Sequence, residues 1–305
     1  MQNYIVGDIK VPGGRVGCRI VGNNNQGTPL IIVHGGPGAS YDYLEPLEAL
    51  ADERPVIFYD QLGSHRSSAP EDPSIWTLER YADELAAVRD SLAPGPVHIL
   101  GQSWGAMLAI AYLSRHEPKD IASLTFSGPC ISAPMWLDDQ RRLLAEMPAD
   151  ARSVIDECEI RGVFDSPGYE SAMMEYYRRH LCRLDTWPEC LLKTFEVMAT
   201  PVYNFMWGPS EFTLTGTLKE TDLTPNLAYI KVPVLYTCGE FDEATPSTVR
   251  HFRNQTKEAT IKVFPGASHS HHLEAEEDYI ATVRSFLKNH SSKSGLLLPG
   301  GLATT

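Results

Sequence analysis

Along the first half of the chain, short unbroken apolar runs alternate with stretches whose apolar residues recur every three or four positions. Leu30-Ile31-Ile32-Val33 is one such run, and Val56-Ile57-Phe58-Tyr59, Val97-His98-Ile99-Leu100 and Leu124-Thr125-Phe126 follow it. Between them, residues 43–52, 76–92 and 106–115 read as helices; in 76–92, Leu78, Tyr81, Leu85 and Val88 share a face. Runs without polar alternation predict strands buried on both sides, hence a mostly parallel central sheet with helices on both faces. The pattern then changes. Residues 135–147, 151–158, 169–183 and 188–199 look helical, with no buried-strand run among them. Strand-like runs resume at 232–237 and 261–264, with helices over 245–254 and 278–289. The expectation is an α/β core of residues 1–130 and 226–290, with 131–225 inserted as a helical cap over the sheet's carboxyl edge, where ligands bind in such folds. Residues 291–305 carry no pattern and are expected to form a flexible tail.

A chain of 305 residues suits one α/β unit with an insertion, and a 43% hydrophobic, 21% charged composition is that of an ordinary soluble protein. The 39 acidic against 26 basic residues give a net charge of −13. Such a field disfavours nucleic acid and anionic membranes and favours a cationic ligand at long range. No apolar run is long enough to span a membrane, and residues 1–10 lack the basic and apolar regions of a signal peptide. The six cysteines are scattered, without Cys-x-x-Cys or metal-like spacing, which suggests reduced thiols in a cytoplasmic protein; a Cys182–Cys190 disulfide stays open.

Gly101-Gln102-Ser103-Trp104-Gly105 falls between a strand-like run and a helix. That setting is what a Gly-x-Ser-x-Gly elbow requires: small flanking residues allow a turn tight enough to expose the serine at the sheet edge. A serine nucleophile needs a base and an orienting acid, and in the α/β-hydrolase fold these follow as Ser, acid, His. Asp242 and His269 both lie just past strand-like runs, in that order; Glu240 and Glu243 compete for the acid role, and His271 and His272 for the base. The His-x-His-His run also admits an exposed polar loop or a metal site, but no acidic or cysteine partner stands nearby in a suitable pattern, so neither metal nor cofactor is expected. An oxyanion needs two amide donors; the backbone N–H groups of Trp104 and Gly36, the latter in His34-Gly35-Gly36-Pro37-Gly38, are the candidates.

Those segments, with Asp60-Gln61-Leu62-Gly63, Gly208-Pro209-Ser210-Glu211-Phe212 and Gly239-Glu240-Phe241-Asp242-Glu243-Ala244-Thr245-Pro246, resemble the signature segments of the proline iminopeptidases, α/β-hydrolases related to amino-acid amidases. The similarity runs from about residue 25 to 285. It favours Asp242 as acid and His269 as base, and implies release of an N-terminal residue, usually proline, from short peptides. Hydrolysis of amino-acid amides, or an esterase-type activity on the same triad, is the alternative. Recognition of a free α-amine calls for carboxylates at the pocket wall, and Glu211 and Glu243 match the family's amine-binding positions. Phe205 and Trp207 are candidates for an apolar wall. Three departures stand out: Ala106 after the elbow, His65 where glycine is common, and the histidine run after His269.

Overall fold

Two strands that the apolar pattern does not announce open the computed structural model, which describes residues 4–291 and 303–304. These are β1 (Tyr4–Val11) and β2 (Gly14–Val21), an antiparallel hairpin in which Val11 faces Gly14. In β1 only one face is buried, and Gly14, Arg15, Gly17 and Arg19 break up β2, so neither carries an uninterrupted apolar run. The four runs of the first half are strands: β3 (Leu30–Val33), β4 (Val56–Tyr59), β5 (Val97–Gln102) and β6 (Ile121–Ser127). Every residue of β3, β4 and β5 is buried, as strands covered on both faces require. With β7 (Val234–Gly239), β8 (Ala259–Phe264) and the two-residue β9 (Ala303–Thr304), they form one sheet in the order β8-β7-β6-β5-β3-β4-β2-β1-β9. Pairing is parallel from β4 through β8; β2, β1 and β9 close the other edge antiparallel.

Helices cover both faces. On one side α1 (Leu78–Leu92), α2 (Trp104–His116) and, later, α8 (Pro246–Gln255) bury Tyr81, Leu85, Val88, Leu108, Val249 and Phe252. The Thr77 side chain accepts from the Arg80 N–H, so α1 begins two residues after the expected position 76. The other side is packed by a 3-10 helix (Asp42–Asp52), with Pro46 inside it, and by α10 (Glu276–Asn289), through Leu44, Leu47, Leu50, Tyr279 and Val283.

Between β6 and β7 lie α3 (Ala133–Ala145), α4 (Ala149–Arg161), α5 (Pro167–His180), α6 (Glu189–Glu196) and α7 (Thr200–Met206). Leu144, Ile155, Tyr169, Met173, Tyr176 and Phe212 give this segment a small core of its own. It is also tied to the sheet: Lys193 Nζ lies 2.6 Å from Asp42 Oδ1, and Arg66 bridges Asp42 and Asp60 at 2.6 and 2.8 Å. The expected flexible tail, residues 291–305, lies outside the described residues except for Ser291 and β9. Among the described residues no helix is long and apolar enough to cross a membrane. All six cysteines are free thiols, so Cys182 and Cys190 are not bridged.

Candidate active site

The parallel register aims the carboxyl ends of β3, β5, β7 and β8 at one edge, and each runs directly into a loop that carries a candidate residue. At the end of β5, Ser103 has φ 55° and ψ −122°, the strained conformation of a nucleophile elbow. Its N–H donates to Ser127 O at 3.0 Å, and its carbonyl accepts from Ala106 and Cys130. Gly105 is obligatory here: a Cβ on it would sit 2.1 Å from the Val33 carbonyl oxygen, so β3 and α2 could not approach this closely with any other residue.

Asp242 and His269 meet just beyond β7 and β8. His269 Nδ1 donates to Asp242 Oδ1 at 2.7 Å, and the carboxylate also accepts from the N–H groups of Ala244 and Gly239 at 2.8 and 3.0 Å. Burial opposes the charge on both side chains, yet each outweighs it for the other. Asp242 is lowered well below the carboxylate range by His269 and His271. For His269, burial pulls downward, and Asp242, then Glu243 and Glu211, lift it to about 9. Gly128, at φ 52°, closes the back of the pair; a Cβ there would fall 2.7 Å from His269 Nδ1.

The outer nitrogen of His269 has a partner that the sequence reading missed. Gln102 Nε2 donates to His269 Nε2 at 2.9 Å, while Gln102 Oε1 accepts from Tyr43 Oη at 2.5 Å, and that hydroxyl accepts from the Gly35 N–H at 2.7 Å. In the neutral imidazole the amide therefore keeps the proton on Nδ1, toward Asp242. Gly36, Ser103 and Trp104 line one cavity; the Trp104 indole is pinned by its Nε1–H to Gln61 Oε1 at 2.9 Å.

This cavity, about 260 Å³, holds Ser103 and His269 together with Glu211, Glu243, Trp207, Trp136, Tyr177 and Tyr203, and an apolar flank of Leu191, Phe195 and Met198. Glu243 is 2% exposed, and its Oε1 has no hydrogen-bond partner among the described residues. Glu211 accepts from Tyr203 Oη at 2.7 Å and from Trp136 Nε1 at 3.4 Å. Burial first and the neighbouring Glu211 second raise Glu243; burial raises Glu211 against those two donors. Of the two aromatic candidates, Trp207 lines the cavity, whereas Phe205 stands apart from it, its ring edge-on to Trp76 at 5.7 Å. Tyr203 and Trp136 escaped the sequence reading; Tyr203 lies on α7, which the pattern did not reveal, and Trp136 falls in the stretch 135–147, read only as a helix.

His271 and His272 prove to be interior residues, at 0% and 1% exposure, so the histidine run is not an exposed loop. Among the described residues, no group of three or more His, Cys, Asp or Glu side chains is placed to hold a metal ion. Glu240, the other competing acid, accepts from the Gly266 N–H at an exposed position.

The model of the α/β-hydrolase fold family matches residues 28–276. A proline iminopeptidase of Heyndrickxia coagulans is 44% identical over 287 residues, covering 94% of this chain and 99% of that one. Among solved structures, a proline iminopeptidase of Mycobacterium smegmatis superposes with a TM-score of 0.87 at 35% identity, over 93% of this chain and 98% of that one. VinJ gives 0.88 at 31%, with the same coverage. The chain thus belongs to the α/β-hydrolase fold family and, within it, to the proline iminopeptidases.

Proposed function

We propose that this protein is a serine exopeptidase that releases an N-terminal proline, or another small apolar residue, from short peptides through an acyl-enzyme. The observation that carries this reading is the buried carboxylate of Glu243, whose Oε1 has no hydrogen-bond partner among the described residues, beside Glu211 in the cavity that holds Ser103 and His269. A buried carboxylate without a partner is costly, and an ammonium ion is the ligand that repairs it. The relatives' shared name, proline iminopeptidase, agrees.

In this mechanism His269 takes the proton of Ser103 as the hydroxyl attacks the carbonyl carbon of the first residue. In the neutral imidazole the Nε2 lone pair, held by Gln102, turns to the serine for this step. Asp242 fixes the tautomer and stabilises the imidazolium. The N–H groups of Gly36 and Trp104 hold the oxyanion, and the helix α2 N-terminus favours the same negative charge. His269 then protonates the leaving amine, and water attacks the acyl-enzyme with His269 again as base. Glu211 and Glu243 hold the substrate's ammonium and so fix which carbonyl lies over Ser103. Residues 131–225 act as a cap that supplies Glu211, Tyr203 and the apolar flank. A cytoplasmic setting suits the free thiols.

The substrate is tested with prolyl, alanyl and leucyl anilides beside the matching amides. Prolyl anilide is expected to be cleaved fastest; a preference for simple amides across the series would assign the site to amino-acid amide hydrolysis instead. The pH dependence follows from His269. Only its neutral form accepts the serine proton, and its affinity for protons is raised to about 9. Activity on an N-blocked ester, which has no amine of its own to titrate, should rise with pH along a limb above 6.5. A limb at or below 6.5 would contradict the pairing with Asp242. In stability the sign is reversed: the paired, charged His269 stabilises the fold fully below 6.5, and that contribution is lost as pH rises through about 9.

A further inference from the structure

A second histidine stands on the acid of the triad. His271 opens α9 (His271–Glu274), fully buried, with Nδ1 3.4 Å from Asp242 Oδ2 and 3.2 Å from the carbonyl of Ser268. Both neighbours are acceptors, so Nδ1 carries the proton. At the other side of the ring, Nε2 meets the hydroxyls of Ser127 at 3.0 Å and Thr237 at 2.9 Å. Tyr279 Oη donates to Ser127 Oγ at 3.0 Å, leaving the Ser127 proton free to point at His271 Nε2. The ring is stacked on Phe264 at 5.4 Å and met edge-on by Tyr279 at 5.3 Å, which leaves it no other orientation. Ser127, Thr237 and Tyr279 are each 0% exposed, so the whole chain of groups is sealed from water.

We propose that His271 is a positioning residue for Asp242: its Nδ1–H, hydrogen-bonded to the Ser268 carbonyl and aimed by the Tyr279–Ser127 and Thr237 hydroxyls, lies 3.4 Å from the second carboxylate oxygen and steadies it electrostatically while His269 holds the first. This rests on the catalytic reading above. The Asp242 carboxylate must stay in line with His269 while the imidazole gains and loses a proton. Its first oxygen is shared between His269 and Ala244, and its second depends on Gly239 and His271. Without the His271 side, the carboxylate is held at Oδ2 by one backbone N–H alone. Angular error at the acid is passed directly to the base. The hydroxyls on β6 and β7 also link this arrangement to the elbow, because Ser127 O accepts from the Ser103 N–H.

Two variants separate positioning from packing. In His271→Asn the side-chain amide nitrogen falls near the place of Nδ1 and keeps the donor to Asp242. In His271→Gln it falls near Nε2 and keeps only the hydroxyl side. On prolyl anilide, Asn should retain kcat within about threefold, whereas Gln should lose roughly tenfold or more in kcat with KM held within twofold. Equal kcat for the two, or losses that merely follow a lowered Tm, would overturn the proposal. Should either variant fail to fold, Ser127→Ala leaves His271 in place and strips a hydroxyl from its Nε2; kcat must then fall severalfold at unchanged KM, and wild-type kcat would overturn the proposal. Full activity in Ser103→Ala, by contrast, would defeat the catalytic reading itself, whatever His271 does.

Discussion

Ser103→Ala is expected to lower kcat for prolyl anilide by a factor on the order of 10⁵ to 10⁶, about 7 to 8 kcal/mol of transition-state stabilisation. The loss is this large because, in the proposed mechanism, His269, Asp242 and the oxyanion donors act through the serine oxygen; with no nucleophile to activate, their contributions vanish together. Fold and binding should survive. Alanine has the same backbone constraints at φ 55°, and Ser103 lines the cavity, 8% exposed. Tm should therefore match the wild type, and the proposed amine site at Glu211 and Glu243 should still bind substrate. Reaction of the wild type, and not of the variant, with a fluorophosphonate probe gives the independent chemical readout. Retention of even one-tenth of the activity in folded Ser103→Ala would exclude the acyl-enzyme.

The second large effect belongs to the carboxylates. Glu243→Gln should raise KM for free-amine substrates by about thirtyfold to several hundredfold, the 2 to 4 kcal/mol associated with one partner of a buried charge pair. N-blocked substrates should be almost unaffected. The same substitution should leave Tm unchanged or raise it, since it removes an uncompensated buried carboxyl and keeps its shape. Glu211→Gln is expected to weaken amine binding in the same direction, though its Tyr203 and Trp136 donors make it a structural as well as an electrostatic group. A proton count gives a second handle. Glu243 is raised by burial and by Glu211, so it tends to hold a proton when the cavity is empty; an incoming ammonium favours the ionised form. Binding of a free-amine ligand at neutral pH should release protons, measurable by calorimetry in buffers of different ionisation enthalpy. Equal KM increases for free and blocked substrates would argue that Glu243 serves packing alone.

The parallel half of the sheet was legible because strands buried on both faces leave unbroken apolar runs, as Leu30–Val33 and Val56–Tyr59 do. The β1–β2 hairpin was not, because its strands carry glycine, arginine and a solvent-facing side, and its pairing with β4 is a tertiary fact. At the site, order along the chain placed Ser103, Asp242 and His269, since each follows a strand at the same sheet edge. Among the three histidines the resemblance favoured His269, and the coordinates show how the three differ. His269 leads toward the cavity, His271 turns back beneath Asp242, and the Nε2–H of His272 donates to the Tyr43 carbonyl at 3.0 Å. Contacts contributed by the inserted helices were the least legible. Tyr203 on Glu211, Trp136 on both Glu211 and His269, and the displacement of Phe205 onto Trp76 depend on how α3 and α7 pack, which periodicity does not encode.

Serine acyl transfer directed by a free α-amine is read straight from kcat/KM for L-prolyl p-nitroanilide beside its N-acetyl counterpart. The free amine is expected to be preferred by about a thousandfold, with the preference collapsing in Glu243→Gln. Equal or faster cleavage of the N-acetyl compound by the wild-type protein would contradict it.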